Sequence, residues 1–141
     1  MAELTADDVH LALVGETVDL IWVDFRLTLA FSNRSMVSFE TPFTVAGTDG
    51  VTVSVDPEDK DSLLPALHLH TQSVSAAQID GSTLRIEFAS GTTLRAHADD
   101  DYESWHYSGP GTPPVRATAL GGGELFISLP VESDPGEAGS S

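Results

Sequence analysis

The 141-residue chain contains no cysteine. Neither a disulfide framework nor a thiolate metal site can be built, and a fold without such staples must rest on its core, as in proteins of a reducing compartment. Basic residues are almost as scarce: 6 Lys and Arg stand against 22 Asp and Glu, a formal net charge of −16. Charge of that sign repels phosphate backbones and anionic lipid, which excludes nucleic acid as a partner and favours encounter with basic proteins. A plainer reading is that the acidity serves solubility. Long apolar runs are missing too. The most apolar stretch, residues 18–31, is interrupted by Asp19, Asp24 and Arg26, and nothing approaches the ~20 uncharged residues of a membrane helix. The opening Met1-Ala2-Glu3-Leu4-Thr5-Ala6-Asp7-Asp8 has neither the basic nor the apolar region of a secretory signal. These absences predict a cytoplasmic protein that does not associate with membranes.

What is present is an ordinary globular composition, with 40% hydrophobic and 20% charged residues, enough for one core at this length. The expected organisation is a single β-rich domain over residues 1–130 followed by a flexible acidic tail, 131–141.

Alternation of apolar and polar residues carries the fold. From Asp24 to Ser32, Phe25, Leu27, Leu29 and Phe31 share one face. Asn33-Arg34-Ser35 offers a turn, and Val37, Phe39, Thr41 and Phe43 continue in phase, predicting a hairpin with Phe31 opposite Val37, Leu29 opposite Phe39 and Phe25 opposite Phe43. Upstream, residues 11–14 and 18–23 flank Gly15-Glu16 as a second hairpin. The change of apolar phase between Trp22 and Phe25 predicts a bulge or bend, and Pro42 marks an edge or a strand end.

A strand over residues 51–55 precedes Asp56-Pro57, which reads as a helix cap followed by a first-turn proline. One short helix near 57–70 is expected to cover the sheet through Leu63, Leu67 and His70, with Leu64 beside them. Pro65 allows it to be split into two pieces, the second starting near Ser62. Residues 74–79 and 83–88 flank Asp80-Gly81, the signature of a type I′ hairpin, and Ala89-Ser90-Gly91 returns the chain into residues 92–98. That register sets Arg85 opposite Arg95, a like-charge pair that asks for a nearby acid such as Glu87 or Glu40, or for a bound anion. Residues 102–107 read as an aromatic strand, 108–114 as a rigid Gly/Pro loop, and Gly121-Gly122-Gly123 as a turn ahead of a last strand, 125–129. The fold class is therefore mainly β (α+β): an antiparallel meandering sheet of hairpins, partly closed or sandwich-like, with the one short covering helix.

In this order, Val14-Gly15 with Val18, the strand Phe25-Arg26-Leu27-Thr28-Leu29, Thr41-Pro42-Phe43, Val55-Asp56-Pro57-Glu58, Asp80-Gly81-Ser82-Thr83-Leu84, Tyr102-Glu103-Ser104-Trp105 with Gly109-Pro110, and Gly121-Gly122-Gly123 resemble an actinobacterial family of small proteins classed as a domain of unknown function. The resemblance spans residues 14 to about 128. It implies no reaction, cofactor or partner.

Few residues offer chemistry. The run Asp56-Pro57-Glu58-Asp59-Lys60-Asp61 lacks the spacing, glycine and closing glutamate of a calcium loop. His68 and His70 are badly spaced for one face of a helix. Gly121-Gly122-Gly123 lacks the lysine and helix of a phosphate loop, and no serine lies in a G-x-S-x-G context. No cofactor or metal is assigned. His97 and His106 flank the acidic loop and are the best candidates for an acid/base or ligand site with Asp99 or Asp101. Tyr102, Trp105 and Tyr107 read first as core closure and second as an aromatic patch rimmed by Asp99, Asp100, Asp101 and Glu103, the kind of surface a basic protein would engage.

Three functions follow as expectations. The first is a non-enzymatic interaction protein with a basic protein partner, such as an immunity-like neutraliser. The second is a ligand-binding or enzymatic domain using His97 and His106 with nearby carboxylates, and the third is a structural homo-oligomer built on an open sheet edge.

Overall fold

Period-two segregation of side chains organises the chain into two antiparallel sheets. The computed structural model describes residues 10–111 and 114–129; the expected tail, the acidic opening segment and part of the Gly/Pro loop lie outside them. In chain order the strands are β1 (Val18–Val23), β2 (Leu27–Phe31), β3 (Met36–Phe39), β4 (Phe43–Ala46), β5 (Thr52–Val55), β6 (Val74–Asp80), β7 (Thr83–Phe88), β8 (Thr93–Ala96), β9 (Trp105–Ser108), β10 (Arg116–Ala119) and β11 (Leu125–Ser128). One sheet runs β1-β2-β3-β9-β10-β11 and the other β5-β4-β8-β7-β6. Leu27, Leu29, Val37, Phe39, Trp105 and Tyr107 from the first sheet join Phe43, Leu84, Ile86, Phe88 and Leu94 from the second in one buried core. The mainly β, sandwich-like expectation holds, and the sheets do not close into a barrel.

The β2–β3 hairpin forms in a register two residues from the expected one: Leu29 faces Val37 and Leu27 faces Phe39. The turn occupies residues 32–34, with Arg34 at φ 75°, and the Phe31 N–H donates to the Ser35 carbonyl at 2.8 Å. Because the slip is even, the same side chains stay inside.

Phe25 is the exception, 64% exposed. The Asp24 carboxylate accepts the Arg26 N–H at 2.8 Å, the Asp24 N–H donates to the Arg26 carbonyl at 2.9 Å, and a tight turn results between β1 and β2 with Phe25 at its tip. The phase change after Trp22 is thus a hairpin turn; the bulge lies between Val18 and Leu20. Phe43 does not pair with Phe25. The chain leaves the first sheet after Phe39 and enters the second at Phe43, the rings of Phe39 and Phe43 stacking with centroids 4.2 Å apart; Pro42 lies in the crossover between the two strands, directly before β4. Residues 12–15 form turns rather than a strand, although Leu11 and Leu13 are buried.

The expected helix is two pieces, a 3-10 turn Lys60–Ser62 capped by Asp59 and a single α turn, α1 (Leu64–Leu67), with Pro65 in its first turn. Asp56 instead closes a local turn, its carboxylate accepting the Glu58 N–H at 2.9 Å. The break rotates the apolar face: Leu63, Ala66 and Leu69 are buried, while Leu64 and Leu67 are exposed.

In the β6–β7 hairpin Asp80 pairs with Thr83, so Gly81 and Ser82 are the central residues. Gly81 has φ 63° and Ser82 is not among the positive-φ residues, the pattern of a II′ turn rather than I′. The β7–β8 return is as expected, with Gly91 at φ 95° and Arg85 opposite Arg95.

Candidate functional site

β9 is an inner strand of the six-stranded sheet, with odd-numbered residues facing the core and even-numbered ones facing out. Trp105 and Tyr107 are 0% and 2% exposed. The Trp105 indole N–H donates to the Ser82 carbonyl at 2.9 Å, tying the first sheet to the β6–β7 turn, and the Tyr107 hydroxyl accepts the Ala12 N–H at 2.9 Å. For these two the first reading, core closure, holds, and they drop out of the seven residues expected to form a partner surface.

The other five form the 99–103 loop. Asp99 organises it, one carboxylate oxygen accepting the N–H groups of Asp101 at 2.9 Å and Tyr102 at 3.0 Å. Asp100, Asp101 and Glu103 are exposed, and Tyr102 is 70% exposed. The triple glycine supports this loop from below: a Cβ on Gly121 would lie 2.6 Å from the Asp101 carbonyl oxygen, so glycine here permits close backbone approach.

This loop forms one wall of a cleft of about 690 Å³. Five carboxylates, Glu40, Asp56, Glu58, Asp99 and Glu103, line it together with the rings of Phe25 and Tyr102 and the crossover residues Thr41 and Pro42. The Lys60 ammonium donates to the Asp24 and Pro57 carbonyls, which fastens the Phe25 turn to the 56–58 segment. The Arg26 guanidinium sits 5.2 Å from the centroid of the Phe25 ring.

His106 is on the outer face, in register with Ser38 of β3 and Thr118 of β10. Its Nδ1 is 3.2 Å from Thr118 Oγ1, its Nε2 is hydrogen-bonded to Glu40, and Glu103 Oε1 lies 3.8 Å from the same nitrogen. His97 is elsewhere, exposed past the end of β8 with Nδ1 3.0 Å from Thr83 Oγ1. The expected grouping of His97 and His106 with Asp99 or Asp101 therefore does not form, because the two histidines belong to different sheets. His68 and His70 diverge as well: His70 Nε2 meets the Asp19 carbonyl at 2.9 Å, while His68 lines a separate hollow of about 220 Å³.

No motif in the sequence marks Glu40, Asp56, Glu58 and Phe25 as parts of one site. An outward phase for Glu40 and His106 follows from alternation alone. Their meeting depends on the β3–β9 pairing, which alternation does not specify.

On the second sheet, Glu87 answers the Arg85–Arg95 opposition: Arg85 Nη2 and Glu87 Oε1 are 3.1 Å apart. Glu40, the other candidate acid, is engaged by His106 instead.

No curated protein and no solved structure matches the chain. Over residues 9–127, which hold every strand but the last residue of β11 and the whole of the cleft, the chain belongs to the family of unknown function DUF6188.

Proposed function

We propose that this protein is a non-enzymatic binding protein whose partner is a basic protein, engaged in the manner of an immunity-type neutraliser through the acidic cleft. One observation carries the reading: five acidic residues line a single cleft together with the exposed Phe25 and Tyr102. A lysine or arginine side chain from a partner is matched twice there, its charged head by carboxylates and its stem or guanidinium plane by the rings. The overall charge of −16 supplies long-range steering toward such a surface. Asp100, Asp101, Tyr102 and Glu103 remain the sequence-derived contacts in this proposal, with Asp99 shaping the loop and Phe25 and Glu58 added from the rest of the cleft lining. A cytoplasmic location accords with the lack of cysteine.

The test is quantitative capture from cell extract by the wild-type chain and by a Phe25→Ala/Glu58→Gln/Tyr102→Ala variant. A basic protein held by the first, lost by the second and released by salt supports the reading. Identical captured sets, or binding indifferent to salt, sink it.

A homo-oligomer is favoured by a different observation. Leu20, Trp22 and Phe126 are exposed on β1 and β11, the two edge strands of the first sheet. Sedimentation of a monomer at high concentration removes that reading.

A further inference from the structure

We infer that Glu40, Glu103 and His106 bind a divalent transition ion of the zinc type at the edge of the acidic cleft, which Glu40 and Glu103 also line. The three side chains come from separate places, the residue after β3, the loop before β9 and β9 itself, and one donor atom from each lies within 4.8 Å of the others. Zinc bonded to imidazole nitrogen and carboxylate oxygen at about 2.0–2.2 Å draws its donors to roughly 3.5 Å apart in a tetrahedral shell. His106 Nε2 and Glu103 Oε1 are 3.8 Å apart, and the Glu103 side chain is 54% exposed, free to close the remainder by rotation about its own bonds. The ion takes the place of the proton between His106 Nε2 and Glu40, which is released to solvent as those two side chains open to the same spacing.

The imidazole is set for the purpose. Thr118, its cross-strand neighbour, engages Nδ1 at 3.2 Å, which turns Nε2 toward the two carboxylates. An outer hydrogen bond on the far nitrogen is how ligating histidines are held in orientation. Among the described residues, neither Glu40 nor Glu103 forms an ion pair with a lysine or arginine, so no resident cation competes for them. The His106 side chain is 26% exposed and that of Glu40 32%, leaving the donors within reach of a hydrated ion. A nitrogen donor beside two carboxylates selects zinc-type ions over calcium and magnesium, which prefer all-oxygen shells. Three protein donors leave a fourth position for water or for a group brought by a partner.

The site needs no protein partner, so its test is independent of the binding function proposed above. Zinc chloride is titrated calorimetrically into the full chain after chelator treatment, with cobalt(II) as the visible-absorption probe. One ion per chain in the micromolar range is expected, and the His106 ring nitrogens should shift in NMR spectra on zinc addition. Glu103→Gln should weaken binding at least about tenfold, and Thr118→Val about 10- to 100-fold through loss of the orienting contact. His106→Ala should abolish the NMR-detected site, while His97→Ala should leave affinity unchanged. If His106→Ala fails to fold, Glu103→Gln still decides, because its side chain lies outside the core. Absence of saturation at about 1 mM zinc, or binding that persists unchanged in both Glu103→Gln and His106→Ala, overturns the inference.

Discussion

Arg85 and Arg95 face each other directly across β7 and β8, and the arrangement stands because Glu87, two residues along β7, reaches back to Arg85 at 3.1 Å. The Arg85 and Glu87 side chains are about one-third exposed, so solvent weakens their ion pair. Glu87→Gln is expected to lower stability by about 0.5–1 kcal/mol at low salt and by less at high salt, whereas Arg95→Thr should be neutral or stabilising. Urea unfolding of both single variants and the double variant measures the coupling; equal effects at low and high salt would refute it.

Trp105→Phe tests the tie between the sheets. The substitution removes the indole N–H from the Ser82 carbonyl and leaves space around a fully buried ring. The expected loss is about 2–4 kcal/mol, read as a lower urea midpoint with an unchanged slope.

Gly121→Ala forces a methyl group against the backbone of Asp101, 2.6 Å from its carbonyl oxygen. Overpacking of this kind costs about 1–3 kcal/mol. Displacement of the 99–103 loop should follow, seen as chemical-shift changes at Tyr102 and Glu103 with the β6–β8 resonances unchanged.

Phe25→Ala and Tyr102→Ala are expected to change thermal stability by no more than about 0.5 kcal/mol, since both rings are mostly exposed. Their effect should fall on partner binding. A large fall in melting temperature would instead make these rings structural.

Much of the fold was legible because local rules act locally. Leu27, Leu29, Phe31, Val37 and Phe39 are buried as alternation requires, and counting residues through the Ala89-Ser90-Gly91 turn placed Arg85 opposite Arg95. Phe25 misled because it extends an apolar series by one more step, while the Asp24 carboxylate two atoms from the backbone ends the strand there. Leu64 and Leu67 misled because the break at Leu63 resets the helical phase. The site was less legible than the fold. His106 and Tyr102 stood out by type, but Glu40, Asp56 and Glu58 reach the cleft through a change of sheet at Pro42 and through pairings between distant segments.

The junction of β3 with β9 brings together strands about seventy residues apart in the chain. During synthesis, the outer hydrogen-bonding edge of Met36–Phe39 must wait, unpaired, until the whole second sheet has emerged. A chain stopped before Trp105 would carry an open, sticky strand, so β9 guards β3, about seventy residues earlier, against aggregation.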